Sequence, residues 1–108
     1  MVFQLGSTLL DACVLAVLSH GDTYGYVLTQ KIKEIVNVSE STLYPVLRRL
    51  QKDGCLTAYD MAYQGRNRRY YAITPAGRSK LDFYLDEWNG FKAKLDMILY
   101  GGNQNEQG

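Results

Sequence analysis

The sequence is poor in the side chains on which most catalysis and metal binding rest. Its 108 residues include one histidine, His20, and two cysteines, Cys13 and Cys55. Each cysteine stands among apolar neighbours, with no CxxC partner and no histidine at metal spacing. That argues against a zinc or iron–sulfur site, and free buried thiols are expected in preference to a disulfide, as in a reducing cytoplasm. His20 precedes Gly21 at the end of an apolar segment, the place of a helix C-cap residue. No Ser/His/Asp set, paired-carboxylate motif or phosphate-binding glycine loop occurs, and Asp82, Asp86 and Glu87 read as the acidic side of a helix. An enzyme is therefore set aside, and neither metal nor cofactor is expected.

Long hydrophobic runs are missing as well. The longest, Ala12 to Leu18, falls far short of the ~20 residues of a membrane span. The N-terminus lacks the basic start, apolar run and small-residue cleavage site of a signal peptide. These absences predict a cytoplasmic protein with no membrane partner. By length the chain is one domain, and nine tyrosines are too many for a disordered one.

A net charge of +1 conceals an uneven distribution. Between Ser41 and Tyr70 stand Arg48, Arg49, Lys52, Arg66, Arg68 and Arg69 against Asp53 and Asp60, so positive charge gathers in the middle third. Within it, Ser39 to Asp53 is an amphipathic helix ended by Gly54. Leu43, Val46, Leu47 and Leu50 recur at i, i+3, i+4 and i+7, and Ser41, Thr42, Pro45, Arg48, Arg49 and Lys52 occupy the other face. Hydroxyls near the helix start suit base edges or phosphates, and cations further on suit the flanking backbone. Proline costs a helix interior ~3 kcal/mol, so a start near Ser41, with Pro45 in the first turn, is expected.

The rest of the chain frames that helix. Ser7 opens a first helix to about Ser19 that is apolar nearly all round, with Thr8 and Asp11 its polar interior positions, so it needs cover on more than one side. Asp22 or Thr23 caps a second, to about Val36. A short link, Asn37-Val38, joins it to the cationic helix, which makes a helix-turn-helix pattern. After Gly54 the period changes to 2, giving a hairpin with a basic turn over Tyr63 to Arg68. Three arginines in that region read as a phosphate-contacting wing. Thr74-Pro75 then starts a helix that Gly101 ends, ~40 Å long at ~1.5 Å per residue. Leu81, Trp88 and Leu95, with Tyr84, Phe91 and Ile98, repeat every seven residues along it, a seam for a second copy of the chain.

The segments YGYVL, STLYPVLRRLQKDG and GRNRRYYAITPAG together resemble the PadR family of bacterial transcriptional regulators, over roughly Leu9 to Leu99. The resemblance implies a mainly α fold with a small β hairpin: a winged helix-turn-helix over residues 1–74, one long dimerisation helix over 75–101, and a disordered tail over 102–108. It implies a homodimer that binds double-stranded operator DNA, usually as a repressor. Ser41, Thr42, Tyr44, Pro45 and Arg48 would lie at the major groove, Arg66, Asn67 and Arg68 at the wing tip, and Tyr24 and Tyr26 beside the backbone. The single long helix resembles compact relatives that bind flat aromatic drugs in a pore at the dimer centre. By that resemblance Trp88, in EWNGF, would stack a planar effector, with Leu5, Thr8, Ala12, Leu85 and Lys92 lining the pore. The alternative is a winged-helix module that binds a small molecule or protein and no longer reads DNA.

Overall fold

In the computed structural model, described over residues 6–101, helices α1 (Ser7–Ser19), α2 (Gly25–Ile35), α3 (Glu40–Lys52) and α4 (Pro75–Leu99) surround a small sheet. The sheet has three antiparallel strands, β1 (Thr23–Tyr24), β2 (Leu56–Tyr63) and β3 (Arg66–Ile73), in the order β1-β3-β2. This is the mainly helical winged fold with a long last helix that the sequence predicts. The expectations for Leu5 and for the tail lie outside the described residues.

The core follows the apolar periodicities. Leu10, Val14, Leu15 and Leu18 of α1 meet Leu28 and Ile32 of α2, and Leu43, Val46, Leu47 and Leu50 of α3. Leu56, Tyr71, Leu81 and Tyr84 close it from the wing and α4. Leu81 and Tyr84 are therefore core residues of the protomer itself, a correction to the seam drawn from the sevenfold repeat. The heptad pattern did not distinguish α1 of the same chain from a second copy as the surface that covers them.

Several helix starts differ from the sequence reading. Gly6, not Ser7, is the N-cap of α1. Tyr24 is the N-cap of α2, because Thr23 and Tyr24 are drawn into the sheet opposite Tyr71 and Tyr70. Ser39 caps α3, its Oγ accepting from the Thr42 N–H at 3.3 Å, so the helix starts before Ser41. Pro45 then lies in the second turn, and the bond it cannot donate would have gone to the Ser41 carbonyl. The side-chain cap and the outward position of Pro45 offset that cost.

The hairpin turn is tighter than expected. Tyr63 pairs with Arg66, leaving Gln64 and Gly65 as a two-residue loop with φ of 51° and 79°, the geometry of the turns that fit a twisted hairpin. Arg66, Asn67 and Arg68 thus belong to β3, not to the turn.

Where the wing returns to α4, four residues form a joint. Thr74 caps α4 by accepting from the Gly77 N–H at 3.0 Å, and its own hydroxyl donates to the Gly54 carbonyl at 2.6 Å. The Thr74 N–H donates to the Cys55 carbonyl at 3.0 Å. Any Cβ at Gly77 would run into that same Cys55 carbonyl and lie 2.8 Å from Ile73 Cγ1. Close approach, not a special φ, is why glycine stands there.

Candidate nucleic-acid interface and an adjoining apolar cavity

Burial of the apolar stripe of α3 turns Ser41, Thr42, Tyr44, Pro45, Arg48 and Lys52 outward, where all are exposed. Tyr44, which sits beside Leu43 in sequence, is 37% exposed and lies on the outer surface. At the helix start three hydroxyls cluster, with Ser39 Oγ 2.9 Å from Ser41 Oγ and 3.1 Å from Thr42 Oγ1. Free helical N–H groups and the positive end of the helix dipole favour an anion at this end.

The cations are not equally available. Arg49 reaches back to α1 and grips Asp11 with both terminal nitrogens, Nη1 to Oδ2 at 3.0 Å and Nη2 to Oδ1 at 2.6 Å. Asp11 is 4% exposed, so this fork neutralises a buried carboxylate. The hydrogen bond raises the Arg49 pKa, burial opposes it, and the Asp11 charge adds to the rise. The helix-face pattern placed Arg49 with Arg48, and Asp11 shows why it serves the fold.

Arg68 is engaged in a different way. Its guanidinium lies 4.6 Å from the ring centre of Tyr24 and 4.3 Å from that of Tyr63, between two aromatic faces. Its Nε is buried without a hydrogen-bond partner. Tyr24 also meets Tyr26 and Tyr70, with centroids 6.4 and 5.8 Å apart, and Tyr70 stacks on Tyr59 at 5.6 Å. Tyr59 donates to Asp22 Oδ2 at 2.7 Å, and that bond raises its pKa. Tyr24 and Arg68 therefore fasten the wing to the start of α2, while Tyr26, Arg66 and Asn67 remain exposed.

On the far side of α1, the stripe Leu9, Ala12, Cys13 and Ala16 faces Tyr84, Leu85 and Trp88 of α4 across an open apolar cavity of about 180 Å³. Of the residues expected at a ligand pore, Ala12, Leu85 and Trp88 come together in this lining. Thr8 and Lys92 do not join the lining: Thr8 is buried and Lys92 exposed. Burial raises the Cys13 thiol pKa. The Tyr84 hydroxyl is pushed up to about 12, by burial first and then by the adjacent Asp11 carboxylate.

Known proteins match this arrangement. The model of the transcriptional regulator PadR-like family fits residues 14–82, more than half of the chain. The chain belongs to the PadR-like family. Among solved structures, this PadR-like chain is similar to smu.1704 of Streptococcus mutans UA159, at 40% identity and a TM-score of 0.84, covering 94% of this chain and 95% of that one. It is also similar to the PadR-like transcriptional regulator BC4206 of Bacillus cereus, at 31% identity and a TM-score of 0.77, covering 84% and 91%. The transcriptional regulator Rv3488 of Mycobacterium tuberculosis is 42% identical over 71 residues, which are 62% of this chain and 66% of that protein.

In this PadR-like regulator the cover on α4 thins toward its C-terminal end. Trp88, Phe91 and Leu95 are half-buried, with the Trp88 and Phe91 ring centres 6.1 Å apart. Ile98 is 78% exposed, and Met97, Leu99 and Tyr100 are exposed beside it. The chain measures 64 × 26 × 21 Å along its principal axes, with apolar side chains uncovered along its projecting end. The sequence reading missed Leu9, Cys13, Ala16 and Tyr84 as cavity residues. The i, i+3, i+4, i+7 spacing of the first three with Ala12 was a signal for the α1 face, but nothing local named the opposing wall.

Proposed function

We propose that this regulator is a homodimeric repressor that holds double-stranded operator DNA with α3 and the wing, and that a flat aromatic molecule at the dimer interface releases it. The observation that carries the DNA reading is the outer face of α3. Ser41, Thr42 and Tyr44 lie near its start, and Arg48 and Lys52 point outward beyond them, with Arg66 and Asn67 exposed on the wing. Hydroxyls and an aromatic supply discrimination, and the cations supply salt-dependent affinity. In a two-fold dimer the two copies of α3 meet successive major grooves ~34 Å apart.

Two features support the dimer and its effector. The exposed Met97, Ile98, Leu99 and Tyr100 give α4 an apolar end that a second copy would cover. The cavity beside Trp88, about 180 Å³, is smaller than the ~300–1,000 Å³ typical of sites for drug-sized ligands. A second copy would supply the opposite wall and enlarge it. Access to chromosomal DNA fits a cytoplasmic location, and the described helices include none long and apolar enough to cross a membrane.

Selection of bound sites from a pool of random duplexes, with sedimentation to weigh the complex, tests the reading. One palindromic class bound by two copies is the expected result. Recovery of unenriched sequence would leave a winged-helix module that does not read DNA.

A further inference from the structure

The outstanding feature beyond the DNA face is a charged group inside the apolar helix α1. Asp11 is buried, and replacing a buried ion pair by apolar side chains commonly costs nothing or stabilises. Core stability alone therefore does not account for a carboxylate set amid Leu9, Leu10, Ala12, Cys13 and Val14. Two side chains converge on it through three hydrogen bonds. Arg49 of α3 donates to both carboxylate oxygens, at 3.0 and 2.6 Å, and the Tyr84 hydroxyl of α4 donates to Oδ2 at 3.1 Å. One carboxylate thus joins α1, α3 and α4.

Tyr84 has two faces to this arrangement. Its ring forms part of the cavity wall with Leu85 and Trp88, while its hydroxyl holds the carboxylate that holds α3. An occupant that swings the whole Tyr84 side chain about χ1 withdraws the hydroxyl from Asp11, whereas a turn of the ring about its own long axis leaves that bond in place. Arg49 follows Arg48 directly in sequence, so a change at the fork is passed to the helix that carries the outward cation. Among the described residues the rest of the lining is aliphatic apart from the Cys13 thiol and the Trp88 indole.

We propose that Tyr84, acting through Asp11 and Arg49, is a positioning residue for α3, and that occupancy of the cavity reaches the DNA-contacting face through this linkage. The second half of the proposal rests on the effector reading above. The first half stands without it. Tyr84 touches no DNA in this scheme. It sets the seat of α3 by completing the hydrogen bonding of the carboxylate that Arg49 grips.

Tyr84→Phe keeps the ring in the wall and removes only the hydroxyl, and Arg49→Lys keeps the charge and removes the fork. Without any ligand, each variant is expected to stay folded and dimeric, to exchange the backbone amides of α3 faster, and to bind a site-selected duplex roughly five-fold or more weakly. Tyr84→Phe is expected to add little in the Arg49→Lys background, because both act through one carboxylate. Wild-type exchange and affinity in Tyr84→Phe, or full additivity of the two, would overturn the positioning role. The second arm adds anilinonaphthalene sulfonate, a dye that reports on apolar pockets, and follows both Trp88 emission and duplex affinity. The expected result is equal dye binding by wild type and Tyr84→Phe, with a loss of DNA affinity in wild type alone. An equal loss in both would overturn the linkage. A dye that binds neither protein counts against the effector reading of the cavity, and the ligand-free arm still decides the positioning role.

Discussion

Changing the basic residues one at a time separates those that meet phosphate from those that hold the fold, and the geometry says how the two classes differ. Among the described residues Arg48, Lys52 and Arg66 are exposed and take no part in a salt bridge. In the proposed dimer they would give about six phosphate contacts and, at about −0.9 per contact, a slope of log K on log salt of about −5. If Arg49 and Arg68 also met phosphate, about ten contacts would steepen it to about −9. Anisotropy titrations of a site-selected duplex between about 50 and 200 mM salt resolve that difference. Arg48→Ala should flatten the slope by about 2, one contact in each copy. Arg49→Ala should leave the slope unchanged and cost stability instead, because it strands the buried Asp11. The loss is set at about 2–3 kcal/mol, below the usual range for a broken buried pair, since the Arg49 side chain is 42% exposed and water screens it. A wild-type slope near −9, or an Arg49→Ala or Arg68→Ala slope as flat as that of Arg48→Ala, would refute this division of the cations.

Three further outcomes follow from the packing. Gly77→Ala must push its Cβ against the Cys55 carbonyl, an overpacking cost of about 3 kcal/mol that should lower the Tm by roughly 10 °C or more in thermal unfolding. Tyr84, whose hydroxyl is held up to about 12, contributes stability that is full below the ordinary tyrosine value of ~10 and lost as pH rises through the folded value. Denaturant titrations above pH ~10 should therefore show a steeper fall for wild type than for Tyr84→Phe. Ile98→Asp, placed on the projecting end of α4, should shift the proposed dimer toward monomer in sedimentation while leaving the helical circular dichroism intact.

The sequence was most legible where one periodicity had one meaning. Leu43, Val46, Leu47 and Leu50 read as a buried stripe and are one, and Thr74-Pro75 reads as a helix start because cap and N1 chemistry are local. It was least legible where a long-range partner decides the outcome. Arg49 and Arg48 look alike on a helical wheel, and only a carboxylate 38 positions away separates them. Arg68 looked like part of a basic turn, but Tyr24 and Tyr63 hold it against the sheet. β1 escaped notice because two residues, Thr23 and Tyr24, are too short to show alternation. Leu81 and Tyr84 illustrate another limit. A heptad repeat states that a stripe is covered, and chain topology states by what.

The joint at Thr74 has a mechanical consequence. Hydrogen bonds from Thr74 to the carbonyls of Gly54 and Cys55, together with the close fit of Gly77, tie the end of α3 to the start of α4. Any tilt of α3 must then pivot near its C-terminal end. From Lys52, Arg49 lies ~4.5 Å along the axis and Ser41 ~16 Å. α3 is in effect a lever pushed close to its fulcrum, so a displacement at the Asp11–Arg49 fork is magnified roughly fourfold at the tip. The hydroxyls proposed to discriminate between bases would ride on the long arm, and Lys52 at the pivot would hardly move. Sequence preference should accordingly be more sensitive to that tilt than the salt-dependent grip on the backbone.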